Sequence, residues 1–167
     1  PHFENCEKHG KYQCNELGDD KAERWYSGCP KCGNEERQKL VMDRAAIPLR
    51  FASKTLYDYS AISQGQKRAL SAATEYVADF ASALACGRSI MFCGRPGTGK
   101  THLAAGILNA IIAMGYVGVY ATVIDAVRRV KETWVRDAET TERIAIERFV
   151  SPDLLVLDEV GVQFGSD

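Results

Sequence analysis

The sequence contains no apolar run approaching the roughly 20 residues that span a bilayer, so no transmembrane helix is expected. It opens Pro1-His2-Phe3-Glu4-Asn5-Cys6, without the basic start and apolar core of a secretory signal. A cytoplasmic protein is the plain expectation. Net charge is also nearly absent, at -1 for the whole chain. Bulk attraction to nucleic acid is therefore not expected, although a local basic patch is compatible with that balance. There is no internal repeat and no low-complexity segment. Aliphatic residues are scarce over residues 1–35, a stretch too polar to bury a core without a staple.

What is present fits a globular chain. The 167 residues are enough for one ordinary domain, or for one small and one partial domain. Hydrophobic residues at 46% and charged residues at 26% give the balance of a soluble fold. Six cysteines in a cytoplasmic setting argue for metal binding or burial rather than disulfides. Cys6, Cys14, Cys29 and Cys32 crowd the first 35 positions, whereas Cys86 and Cys93 have apolar neighbours and are expected in the core.

Residues 36–50 read as a linker. A short helix is expected to start at Glu35–Leu40, and Pro48 stops any helix near it. A helical pattern then runs through Leu70, Ala73, Val77, Phe80 and Leu84, with Gly87 as a cap. From Ser89 the pattern becomes α/β. Ile90–Cys93 is a predicted buried strand, and Thr101–Met114 a helix with Leu103, Ile107, Leu108, Ile111 and Ile112 on its apolar side. Val117–Val123 is a second strand. A long amphipathic helical stretch follows from Asp125 to about Phe149, with a break near Ala138-Glu139-Thr140. Leu154–Asp158 is a third strand, its unbroken apolar run predicting cover on both faces.

Two motifs carry the chemistry of this part. Gly94-Arg95-Pro96-Gly97-Thr98-Gly99-Lys100-Thr101 is a complete G-x-x-x-x-G-K-[ST] phosphate loop between a predicted strand and a predicted helix. Its glycines let backbone amides curl around an anion, and the helix N-terminus adds about half a positive charge. Lys100 is expected on the β- and γ-phosphates of ATP, and the Thr101 hydroxyl on Mg²⁺. The second motif is Leu154-Leu155-Val156-Leu157-Asp158-Glu159. It delivers a carboxylate to the C-terminal edge of a strand, where open α/β sheets bind ligands. Asp158 is the expected second holder of Mg²⁺, and Glu159 the base that orients and deprotonates the attacking water. His102 is expected to be packed rather than catalytic.

In the polar arm, Cys6-x-x-His9 and Cys29-x-x-Cys32 are two ligand pairs at the spacing that presents both side chains to one tetrahedral ion. A single structural Zn²⁺ is the expected occupant, with Cys14 as an alternative to His9 for the fourth ligand. A closed site of this kind carries no catalysis.

Gly94–Ala104, with the strand and the Val160-Gly161-Val162-Gln163 that follows Glu159, resembles the DnaC/IstB group of AAA+ ATPases. Ile47-Pro48-Leu49-Arg50-Phe51 and Tyr57 are similar to the linker before that core. The Cys/His arm resembles the zinc-binding N-terminus of phage and prophage DnaC-type helicase loaders. The resemblance covers essentially the whole chain and implies an α/β P-loop fold, a parallel sheet flanked by helices. It divides the chain into a zinc-binding arm at 1–35, a linker at 36–50, and the N-terminal part of an AAA+ domain at 51–167. It implies ATP hydrolysis, self-association through AAA+ domains in the full-length protein, and placement of a hexameric replicative helicase on single-stranded DNA. Tyr57 and Tyr59 become candidates for adenine contact. Arg128, Arg129, Lys131 and Arg136 become candidates for DNA phosphates, against the simpler reading of a mixed-charge face with Asp137, Glu139 and Glu142. The family continues past the Walker-B strand with a sensor strand, an arginine finger and a lid, so a truncated chain or a fragment is expected. A transposition helper ATPase of the IstB type and a nucleotide-switched binding module are the competing readings.

Overall fold

The computed structural model describes residues 2–14, 32, 45–135 and 140–161. The chain divides into two compact units, Pro1–Met42 and Asp43–Asp167.

In the first unit, β1 (His2–Cys6) and β2 (Gly10–Cys14) form an antiparallel hairpin. Its register runs from His2↔Cys14 at the open end to Cys6↔Gly10 beside the turn. Residues 7–9 make that turn. The Lys11 ammonium lies 5.0 Å from the centre of the Phe3 ring. The Glu35–Leu40 helix falls outside the described residues.

The second unit begins with a 3-10 turn, Leu49–Phe51, directly after Pro48. Helix α1 (Gln64–Ala78) starts on a capping box: the Ser63 hydroxyl accepts from the Gln66 amide, and the Gln66 side chain accepts from the Ser63 amide. The single helix expected here is two, because the backbone leaves helical geometry at Asp79 and restarts as α2 (Phe80–Cys86). The buried positions are Ala73, Tyr76, Phe80 and Ala83, which keep helical spacing across the break, while Leu84 is more than a third exposed. Helix α2 stops at Gly87, whose left-handed φ of 68° is the glycine cap anticipated from sequence.

Helix α3 (Lys100–Ala113) is the centre of the unit. Leu103, Ile107, Leu108, Ile111 and Ile112 are all buried, as the periodicity predicts. The core joins Leu103, Ile107 and Ile111 to Tyr59, Tyr76 and Phe80. Phe80 meets Tyr116 edge-on at 4.9 Å and Tyr76 at 5.9 Å. Strand β3 (Gly118–Thr122) follows, then α4 (Val123–Lys131), α5 (Glu142–Val150) and β4 (Leu154–Asp158). β3 and β4 pair in parallel, from Gly118↔Leu154 to Thr122↔Asp158.

Four expectations need correction. Among the described residues Ile90–Cys93 joins no ladder, and β3 and β4 pair only with each other. It keeps only the strand's alternation: Ile90 and Phe92 pack on the core, while Met91 and Cys93 face outward. That outward half is why Cys93 is exposed rather than buried; Cys86 is exposed too, in the last turn of α2. The long stretch after Asp125 breaks earlier than expected, since α4 ends at Lys131 and passes into a 3-10 turn at Glu132–Trp134. β4 is half-buried rather than covered on both faces, with Leu157 46% exposed. No helix among the described residues is long and apolar enough to cross a membrane.

Candidate functional site

Glycine backbone and internal hydrogen bonds shape the phosphate loop. Gly97 and Gly99 have φ of 77° and 85°, the left-handed region that favours glycine. Gly99 has a second constraint: a Cβ there would stand 2.5 Å from Tyr59 Cε2. Tyr59 lies buried under the loop, and its hydroxyl donates to the Thr98 carbonyl at 2.7 Å. The Thr98 hydroxyl donates across the turn to Arg95 O at 2.9 Å. The Lys100 ammonium donates to both Gly94 O and Arg95 O at 3.0 Å. Lys100 is thus held over the mouth of the loop by carbonyls that an anion's negative charge can outbid. Pro96 sits at the exposed tip.

A strap of chain precedes the loop and lies along α3. His102 is bonded through Nε2 to Thr55 O at 3.0 Å and meets the Tyr59 ring edge-on at 5.5 Å. Asn109 donates to Phe51 O and Lys54 O at 3.1 and 2.8 Å. Gly106, between them on the same helix face, lets Leu56 approach. His102 is therefore a packing residue, as expected from sequence. Tyr57 is 99% exposed, and Tyr59 supports the loop from beneath.

Opposite the loop stands Asp158, at the end of β4. Its Oδ2 accepts the Thr101 hydroxyl at 2.7 Å, joining the phosphate-loop helix to the strand. The same oxygen accepts the Tyr120 hydroxyl at 2.6 Å, and Oδ1 accepts the Glu159 amide at 2.8 Å. Burial pushes the Asp158 carboxyl up, but the Tyr120, Thr101 and Glu159 bonds and the nearby Lys100 charge outweigh it and hold the group below its ordinary range. Burial first, then the bond to Asp158, pushes the Tyr120 hydroxyl up. Glu159 is exposed and left-handed, with φ of 58°. The site thus gathers Lys100, Thr101, Asp158 and Glu159. Tyr120 and the supporting role of Tyr59 were not anticipated. Their only sequence signal is a polar-headed aromatic in a short apolar strand and another just ahead of a helix.

Arg128 and Arg129 lie exposed on α4 with Lys131, and Arg128 faces Asp125 at 3.6 Å. Glu142 accepts the Trp134 indole N–H at 3.3 Å. Arg136, Asp137 and Glu139 fall outside the described residues.

In the first unit, Cys6, His9 and Cys32 come together. Cys6 Sγ lies 3.6 Å from Cys32 Sγ and 3.8 Å from His9 Nδ1, and Cys32 Sγ lies 3.3 Å from His9 Nδ1. A tetrahedral zinc ion with bonds of about 2.3 Å to sulfur and 2.0–2.1 Å to nitrogen separates its ligand atoms by about 3.3–3.8 Å. The three atoms match that spacing. Backbone bonds from His9 and then Lys8 lower the Cys6 thiol to about 6, against the opposing effect of burial. This favours the thiolate that metals bind. Cys29 lies outside the described residues. So does the side chain of Cys14, whose backbone closes the open end of the hairpin.

Residues 32–166 match the family described as IstB-like ATP binding protein. The replicative helicase loader DnaC of Escherichia coli (strain K12) is 41% identical over 127 residues, which is 76% of this chain and 50% of that protein. DnaC of Buchnera aphidicola subsp. Schizaphis graminum is 34% identical over the same shares. An uncharacterized protein of E. coli K12, YdaV, is 29% identical over 81% of this chain and 54% of its own length. The chain spans about half the length of the curated relatives it matches. The family match covers most of the chain, including the phosphate loop and the strand that ends in Asp158, and the chain belongs to the IstB-like ATP binding proteins.

Proposed function

We propose that this chain carries the nucleotide site of an ATP-hydrolysing helicase loader, one that delivers a replicative helicase to single-stranded DNA. The observation that carries the ATPase part is the Thr101–Asp158 bond. It ties the phosphate-loop helix to the acid-bearing strand, so one hydroxyl and one carboxylate stand ready to hold Mg²⁺ beside the phosphates. In this reading, Gly94, Pro96, Gly97, Thr98, Gly99, Lys100 and Thr101 cradle the phosphates of ATP. Bound magnesium would supply charge neutralisation at the transferred phosphoryl group. Lys100 leaves the Gly94 and Arg95 carbonyls for the phosphates, and Glu159 takes a proton from the attacking water.

The loader reading rests on the likeness to the DnaC proteins. Self-association through the ATPase domains and contact with a hexameric helicase belong to the same proposal, as does a cytoplasmic location. Zinc in the N-terminal unit would be structural, held by Cys6, His9, Cys32 and Cys29. The hairpin register supports His9 over Cys14: Cys14 pairs with His2, four strand residues or about 13 Å from the turn that carries His9. Elemental analysis giving less than one zinc per chain counts against the site.

The deciding experiment is Glu159→Gln in the protein carrying this chain. ATP turnover should fall about 10²-fold or more with nucleotide affinity retained. Unchanged turnover removes the base from Glu159. A second reading, compatible with the same IstB-like family, is an IstB-type transposition helper. Capture of a transposase in place of a replicative helicase would select it.

A further inference from the structure

We propose that Tyr120 is a positioning residue for the magnesium half of the nucleotide site. The inference rests on the reading of Thr101 and Asp158 as the residues that hold the metal.

Tyr120 is 6% exposed in the middle of β3. The parallel register pairs it with Val156 and pairs Thr122 with Asp158. Tyr120 and Asp158 are therefore diagonal neighbours on one face of the two strands. The hydroxyl reaches across that diagonal to Oδ2 at 2.6 Å. Phenylalanine would fill the same buried volume, so the hydroxyl is there for its bond.

The bond matters because of what else Asp158 does. A carboxylate oxygen offers two lone pairs, and those of Oδ2 are matched by two donors, Tyr120 and Thr101. With Oδ1 accepting the Glu159 amide, three donors from three segments fix the plane of the carboxylate. The Thr101 hydroxyl proton is then committed to Asp158, which leaves the lone pairs of Thr101 Oγ1 facing away from the strand and free for a cation. If the carboxylate turns, Thr101 loses its acceptor and that direction is lost. Glu159 follows in the chain and Thr101 belongs to the loop, and both lie in segments that must respond to nucleotide. Tyr120 is the donor from the buried wall, and it holds Asp158 while the others respond.

The test is Tyr120→Phe in the full chain, read with a non-hydrolysable ATP analogue. Nucleotide affinity in EDTA should stay within about twofold of the parent, since no phosphate contact is lost. The magnesium concentration that half-saturates the metal-dependent gain should rise about tenfold, the cost typical of removing an outer partner of a metal ligand. In an Asp158→Asn background the same change should add nothing, because Tyr120 acts through that carboxylate. Equal weakening with and without magnesium, an unmoved half-saturation point, or full additivity with Asp158→Asn each overturns the role. Should the parent chain bind nucleotide with no magnesium dependence at all, the metal reading of Thr101 and Asp158 falls first and this inference falls with it. A melting curve of the variant separates a local effect from unfolding.

Discussion

The two units solve the same problem by opposite means. The nucleotide unit closes around Phe80, Leu103, Leu108 and Ile111, each almost wholly shielded from solvent. In the N-terminal unit no described side chain is buried; Cys6, His9 and Cys32 are the most covered and reach only half-burial. Apolar burial contributes about 25 cal/mol per Å² removed from water, so the first arrangement can sustain itself. The described residues of the second hide little area, and the proposed zinc ion would supply directional bonds instead. On that proposal the difference teaches where each unit is vulnerable: one to the loss of a methylene, the other to the loss of an ion.

The sharpest way to break the comparison is to remove the metal. Chelation, or Cys6→Ser, should let the amides of His2–Cys14 exchange at the rate of an unfolded chain, while those of α3 keep their protection. A hairpin that stays protected without zinc would show that the N-terminal unit has another source of stability. The converse experiment is Ile111→Ala. It should destabilise the nucleotide unit by about 2–5 kcal/mol in denaturant titration and leave the zinc content unchanged. The smallest effect is expected at the strap. Tyr59→Phe removes one hydrogen bond to the Thr98 carbonyl. It should weaken ATP binding only a few-fold, in line with about 0.5–1.5 kcal/mol for such a bond. Isothermal titration would register this, and a loss beyond a hundredfold would mean that Tyr59 touches the nucleotide itself.

The features legible in the sequence are those whose cause is local. The phosphate loop, the apolar side of α3 and the acid at the end of β4 each follow from a short pattern read in its own window. Cys6-x-x-His9 is of this kind too, since the hairpin turn that presents both residues is complete within five positions. The misread features depend on partners distant in the chain. Ile90–Cys93 has a strand's composition and alternation, but a ladder needs a neighbour that no window can supply. Cys93 was misplaced by the same reasoning, because apolar sequence neighbours do not reveal which face stays open. The helix break at Asp79 turns on one residue's backbone, and the apolar spacing does not register it, because Ala73, Tyr76, Phe80 and Ala83 keep helical spacing across it. Tyr120 escaped notice because its importance is a diagonal contact between strands separated by α4 and α5.

Glu159 carries a further implication for engineering this scaffold. Its backbone sits where a side chain costs about 1 kcal/mol and glycine costs almost nothing. A library sorted for heat resistance alone should therefore enrich glycine or asparagine at position 159. On the role proposed for Glu159, the winners would melt later and turn over ATP about 10²-fold more slowly or worse, so any stability campaign on this fold must score ATP turnover in the same round or hold that one codon fixed.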